Sequence, residues 1–205
     1  MTAWALTSIT DFVLAGETLF LAGMTAGIPK ARFSAAWFWS GALLLLGSGA
    51  LIGGMDHGFF EAGTESHYVI ERANWIVLAA MTLCILMATA KQFFSPRLQR
   101  VVLVLGLIQF AADTVAIVLV DSFLDVVLNY APVIVLLLIM NFLGLRKGAG
   151  SWDMIAGILI LFAASAIQAF GVDALAPLDH NVLYHLVSMP GVAVLYRGGK
   201  QFKRS

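Results

Sequence analysis

The sequence predicts an all-α integral membrane protein, a bundle of seven transmembrane helices with its N-terminus outside and its C-terminus in the cytoplasm. Three observations predict it. First, 60% of the 205 residues are hydrophobic and only 12% are charged, against roughly 25% charged in a soluble domain. Mean hydropathy is +0.92. A water-soluble globule cannot hide that much apolar surface, which excludes a soluble enzyme, a nucleic-acid-binding module and a disordered chain. Second, the apolar residues fall into seven stretches of helix-spanning character. Third, the basic residues alternate between the connections in a way that only an odd number of spans satisfies.

A helix needs about 20 apolar residues to cross a hydrocarbon core of roughly 30 Å. The stretches are Trp4–Met24, Ala35–Asp56, Asn74–Thr89, Val101–Val120, Val126–Leu145, Trp152–Gly171 and Asn181–Tyr196. The third and seventh are short for a full span. The first lacks a basic leader segment and reads as a retained helix, not a cleaved signal. Gly47, Gly49, Gly53 and Gly54 make the second narrow, which favours close packing against a neighbour. Pro190 is expected to bend the seventh. Trp4, Trp37, Trp39, Trp75 and Trp152 lie near span ends, as interfacial aromatics do.

The connections end on turn or charge signals: Ile28-Pro29-Lys30, Ser95-Pro96-Arg97 and Arg146-Lys147-Gly148. Nothing divides the chain, so residues 1–205 read as one domain. The longest connection, Gly58 to Ala73, reads as a polar loop with functional potential. Eleven of the twelve basic residues fall after spans one, three, five and seven, and only Arg72 falls on the other side. Basic residues in short loops favour the cytoplasm. The Arg197–Arg204 segment reads as an orientation anchor, with anionic-lipid binding as the alternative.

All four histidines then belong to the outer half. His57 ends span two, His67 lies in the long connection, and His180 and His185 open span seven. Imidazole is the commonest metal ligand, and a catalytic zinc takes three protein ligands and keeps one position for water. His57, His180 and His185 are the candidate set. The last two are five apart, about 140° around an ideal helix, so both can reach one ion only if His180 sits at or before the cap. Asp179 and Asn181 are suitable cap residues. The alternative is that the histidines make ordinary interfacial hydrogen bonds. The single cysteine, Cys84, excludes an internal disulfide and a cysteine-rich metal site.

Several polar side chains fall within or beside the spans, where a carboxylate costs at least about 2.5 kcal/mol unless paired or neutral. Asp11, Glu17, Asp113, Asp179 and Tyr184 are candidates for a polar cavity or for second partners of the histidines. Asn129, Asn141 and Gln168 read more simply as interhelical hydrogen-bonding groups.

The segments Gly53-Gly54-Met55-Asp56-His57-Gly58 and Asp179-His180-Asn181-Val182-Leu183-Tyr184-His185-Leu186 carry a family resemblance. With seven spans, the pattern resembles the alkaline ceramidase and adiponectin-receptor superfamily, and in particular small bacterial membrane proteins related to it. The ending Leu195-Tyr196-Arg197-Gly198 is similar as well. The resemblance implies an intramembrane zinc hydrolase acting on lipid amides. Three positions depart from it. The ceramidase histidine pair is four apart, and here Asn181 stands four before His185. Gly53 stands where the ceramidases carry a serine. Glu71 lies further from His57 than their third-span acid does.

The leading reading is a zinc-dependent hydrolase of a lipid amide or ester, with Glu71 or Asp56 as general base. The alternative is a non-catalytic subunit, or a lipid- or pigment-binding module, of a larger membrane complex. Haem binding by His57 and His185 is a third reading. A retinal protein is disfavoured because span seven holds no lysine. Membrane lipids and membrane-protein partners are the expected partners, and the bacterial inner membrane, with the histidine-rich face periplasmic, is the expected location.

Overall fold

Turn and cap chemistry sets the boundaries of seven α-helices in the computed structural model, which describes residues 3–120, 122–173 and 178–205. The side chain of Trp4 lies outside the description. The helices are α1 (Ala3–Ala26), α2 (Ala35–Phe59), α3 (Glu65–Phe93), α4 (Pro96–Leu119), α5 (Phe123–Gly144), α6 (Trp152–Ala169) and α7 (His180–Gly199). A short 3-10 turn, Leu145–Lys147, follows α5. Ser34, Thr64, Ser122, Ser151 and Asp179 each accept a backbone N–H in the first turn of the helix they open. Such caps satisfy N–H groups that have no partner within the helix.

Among the described residues, six helices are long and apolar enough to cross a membrane, all except α7. At 20 residues α7 has the length, about 30 Å, but His180, Asn181, Tyr184, His185 and Arg197 dilute its apolar character. Pro132 and Pro190 both lie inside continuous helices.

The third helix differs from the expected span. It starts at Glu65, nine residues before Asn74, and runs for 29 residues. The connection before it shrinks to Phe60–Thr64, so His67 and Glu71 stand on a helix and not in a loop. Thr64 explains the early start: its hydroxyl caps the N–H of His67. Within the segment 65–73, His67 and Glu71 reach the site described below while Glu65, Ser66, Tyr68, Val69 and Ala73 are exposed, and hydropathy alone misreads that mixture as a loop.

The helices form a ring in the order α1, α2, α3, α5, α6, α7, closed by contact between α7 and α1. Helix α4 stands outside it, against α3 and α5. Close approach of α1 and α2 rests on glycine. A Cβ at Gly47 would lie 2.8 Å from the Leu19 side chain, and one at Gly58 would lie 2.5 Å from Ser8 Oγ. Helices α6 and α7 use the same device at Gly157, Gly191 and Gly198.

Polar ties fix one end of the bundle. Ala31 N donates to Arg204 O (2.7 Å) and Ala36 N to Lys203 O (2.9 Å). Buried Gln92 at the end of α3 donates to Ala149 O (2.8 Å) and accepts from Lys203 N (2.9 Å). The C-terminal tail is thereby pinned beneath α2, α3 and the α5–α6 connection. Asn141 adds a bond from Ser151 N (3.1 Å). Asn129 donates to Asp113 (2.8 Å) and accepts from Gln109, joining α5 to α4. Asp113 is therefore structural in its contacts.

Candidate functional site at the opposite end of the bundle

The other end gathers titratable groups. Helix α1 presents a polar stripe, Thr7, Asp11, Thr18 and Thr25, at spacings of four and seven, all buried. That spacing keeps one face toward the ring interior. Ser8 Oγ donates to Gly54 O (2.8 Å), drawing the start of α1 against the end of α2. Asp11, only 4% exposed, lies at the centre of the group.

Asp11 bridges two histidines from two helices. Its Oδ2 is 2.8 Å from His57 Nδ1 on α2, and its Oδ1 is 3.1 Å from His185 Nε2 on α7. An ionised carboxylate can only accept, so both facing nitrogens carry protons. The lone pair of a neutral His57 is then on Nε2. On the far side of His185, Nδ1 is 2.9 Å from Thr10 Oγ1. Both ring nitrogens of His185 are thus held by α1.

A second pair sits beside the first. His67 Nδ1 is 2.8 Å from Asp56 Oδ1, and His67 Nε2 is 4.0 Å from Glu71 Oε2. Here α3, extended by its extra turns, reaches the end of α2. Asp56 is 5% exposed. Placing two carboxylates and three imidazoles among apolar helices costs stability unless they pair, and each has a partner.

All of these titratable groups except His67 line a cavity of about 270 Å3. Asp11, Asp56, His57, Glu71, Tyr184 and His185 are in its wall, joined by Asn74, Gln168 and Asn181. Gln168 Nε2 donates to Asn181 Oδ1 (3.2 Å), which aims the Asn181 amide. Asn74 Oδ1 is buried without a hydrogen-bond partner. Directly behind lies an apolar chamber of about 160 Å3 between α2, α3, α5, α6 and α7. The two share Leu46, Leu78, Phe123, Gln168 and Tyr184 as walls. A polar head and an apolar tail therefore have adjoining places.

The remaining candidates fall elsewhere. His180 opens α7, and its backbone N–H and Nδ1 meet Asp173 Oδ1 at 2.8 and 3.0 Å. It is turned from His185 as the five-residue spacing dictates, so the three imidazoles His57, His180 and His185 do not converge. Asp179 caps α7 by accepting from Val182 N (2.9 Å). Glu17 is half-buried on α1, outside the cavity wall. In the Asp173 loop the hydrogen bonds from His180, its ring first and then its backbone N–H, hold the carboxyl below its ordinary value of 3.8.

Among the described residues no group of three His, Cys, Asp or Glu is arranged to hold a metal ion. The donor chemistry gives the reason. His185 has both ring nitrogens engaged, by Asp11 and Thr10, and His180 is paired with Asp173, so neither joins His57 in a common set. The zinc set expected from the sequence does not fit this arrangement.

With this geometry in view, comparison with known proteins yields one match. A family model described as a family of unknown function (DUF6962) matches residues 6–204. The chain belongs to that family. No curated protein and no solved structure matches the chain. The family match reaches all seven described helices, beginning within α1, so the Asp11, His57 and His185 positions all lie within it.

Proposed function

We propose that the protein is an intramembrane hydrolase of an amphiphilic lipid amide or ester. One observation carries the reading: the Asp11–His57–His185 group opens on a polar cavity that shares walls with an apolar chamber. A lipid head would meet the titratable groups, and its chain would fill the space behind Tyr184 and Gln168. Helices α5 and α6 touch least of the neighbouring pairs in the ring, and both line the chamber. A chain can enter there from the bilayer without crossing water.

The chemistry follows from the hydrogen bonds. Asp11 holds His57 in the tautomer whose Nε2 accepts a proton. Water gives that proton to His57 as its oxygen bonds to the acyl carbon. The carbonyl oxygen becomes an oxyanion, for which the Asn181 amide and the Tyr184 hydroxyl are donors on the wall. Collapse breaks the acyl–nitrogen or acyl–oxygen bond, and His57 returns the proton to the leaving group. His185 shares the charge of Asp11 and positions it. His180, named with His57 and His185 for zinc, pairs instead with Asp173 and takes no part.

The reading includes seven spans, with α7 crossing as the inner wall of the ring. It places the histidine end on the periplasmic side of a bacterial inner membrane. Eleven of twelve basic residues at the other end support that orientation.

The test is release of free fatty acid from N-acyl and O-acyl lipids by the detergent-purified protein, followed by mass spectrometry. Turnover in the wild type, reduced about 100-fold or more in Asp11→Asn and in His57→Gln, each compared at a temperature below the variant's own cooperative melting, is the expected result. Tight retention of an amphiphile with no turnover would leave the binding-module reading in its place.

A further inference from the structure

The opposite end of the molecule carries a groove separate from the histidine cavity. Between α1 and α2 a groove of about 790 Å3 opens laterally. Its walls are Leu19, Ala22, Gly23, Ala26, Gly41 and Leu44, and its mouth carries Lys30, Trp37 and Ser40. Four of these six wall residues are alanine or glycine, between Leu19 and Leu44, and an apolar slot of that kind fits an alkyl chain.

The mouth continues into a cleft that shares Ile28, Lys30 and Ser40 and adds Gly199, Lys200 and Arg204. The tail is held there by the bonds from Ala31 and Ala36 to the carbonyls of Arg204 and Lys203. Its basic residues therefore have fixed places and are not a loose anchor. Among the described residues Asp153 is the one acidic side chain of this end, and it pairs with Arg197 at 3.4 Å. The cleft is left positive with no side-chain counter-ion. Burial, and then the like charge of Arg204, hold Lys30 below the ordinary lysine value. The Lys30 ammonium is occupied by the carbonyls of Thr25, Ala26 and Ile28, so it contributes charge and caps α1. Arg204 donates one guanidinium N–H to Lys200 O (3.4 Å), and the Lys200 ammonium lies over the Tyr196 ring at 5.0 Å. Each keeps further N–H donors that can turn toward a headgroup.

We propose that the α1–α2 groove holds one acyl chain of an anionic phospholipid whose phosphate lies against Lys200 and Arg204. Charge complementarity selects the headgroup, and the continuity of groove and cleft selects a lipid over a free anion. A basic membrane face attracts anionic lipids everywhere along it, and the groove is what makes this site stoichiometric.

Native mass spectrometry of the full chain, with phosphatidylglycerol or phosphatidylcholine added to the detergent, tests it. One phosphatidylglycerol per chain is expected, retained about tenfold over phosphatidylcholine. Lys200→Gln with Arg204→Gln is expected to erase the preference. Gly23→Leu changes no charge, and no atom lies within 4 Å of a Cβ at that position. It is expected to fold and to lose the adduct. Equal retention of the two lipids, or an adduct unchanged in Gly23→Leu, would overturn the proposal. So would displacement by millimolar inorganic phosphate, which would make the cleft a simple anion site. The hydrolase reading stands or falls separately, since neither variant touches the histidine cavity.

Discussion

At the level of single residues, the arrangement around Asp11 separates the four histidines by role. His57 and His185 share one carboxylate, His67 has its own in Asp56, and His180 faces an exposed loop. Removing one member of a buried charged pair costs about 3–5 kcal/mol because the other is left alone. Asp11→Leu is therefore expected to lower stability far more than His180→Ala, read as the loss of melting temperature in one detergent. His180→Ala is also expected to leave any lipid turnover unchanged. Loss of bound zinc in that variant, by elemental analysis, would instead place all three imidazoles on one ion.

Asp173 supplies a pH signature. Its carboxyl is held below the ordinary value by His180, so its folded value is lower than its unfolded one. The stabilisation is then present above the unfolded value and lost as pH falls through the folded one. Asp173→Asn is expected to melt below the wild type at neutral pH, with the gap closing below about pH 4. Melting curves at pH 7, 5 and 3 in one detergent check it. A gap that widens toward acid would show that the pair does not behave as a carboxylate with a donor.

Among the elements, the helix contacts that close the ring rest on absent side chains. A Cβ at Gly199 would overlap the Trp39 indole, which is 3% exposed and packs edge-on against Phe202 at 5.4 Å between ring centres. Overpacking of a rigid ring costs about 1–3 kcal/mol. Gly199→Ala is expected to lower the melting temperature, while Gly16→Ala, where a Cβ meets nothing within 4 Å, is expected to leave it unchanged. Gln92 is the other device at this scale. One amide joins α3 to the α5–α6 connection and to the tail, so Gln92→Leu leaves two backbone groups unpaired, at about 1–3 kcal/mol each.

For the whole molecule, the two ends divide the chemistry. One end holds the paired histidines and the cavity, and the other holds the basic residues and the pinned tail. The proposed topology gives each end a side. In a Cys84→Ser background, Ala62→Cys is expected to react with a membrane-impermeant maleimide added to intact spheroplasts. Lys147→Cys is expected to react only after permeabilisation. The reverse pattern would invert the orientation, and labelling of both from outside would remove the seven-span reading.

The sequence by itself determined the helical class, the location of most helices and the separation of charge between the ends. Those follow from composition and from period, which each residue carries wherever it goes. It also pointed to His57, His185, Asp56 and Glu71, because polar groups at bilayer depth are rare enough to notice. It named Asp11 among the polar candidates of the first span, but not the threonines that share its face. The central place of Asp11 was not legible, because a carboxylate's value depends on which helices pack beside it. The start of α3 was hidden for a related reason: an exposed polar turn, two of whose side chains reach the titratable group, has the composition of a loop. Only the tertiary structure decided that His180 turns away while His185 turns in. It alone placed an apolar chamber behind the polar one and laid the tail against the α1–α2 groove. Those are distances between segments far apart in the chain, set by glycine contacts and buried hydrogen bonds that no local pattern records.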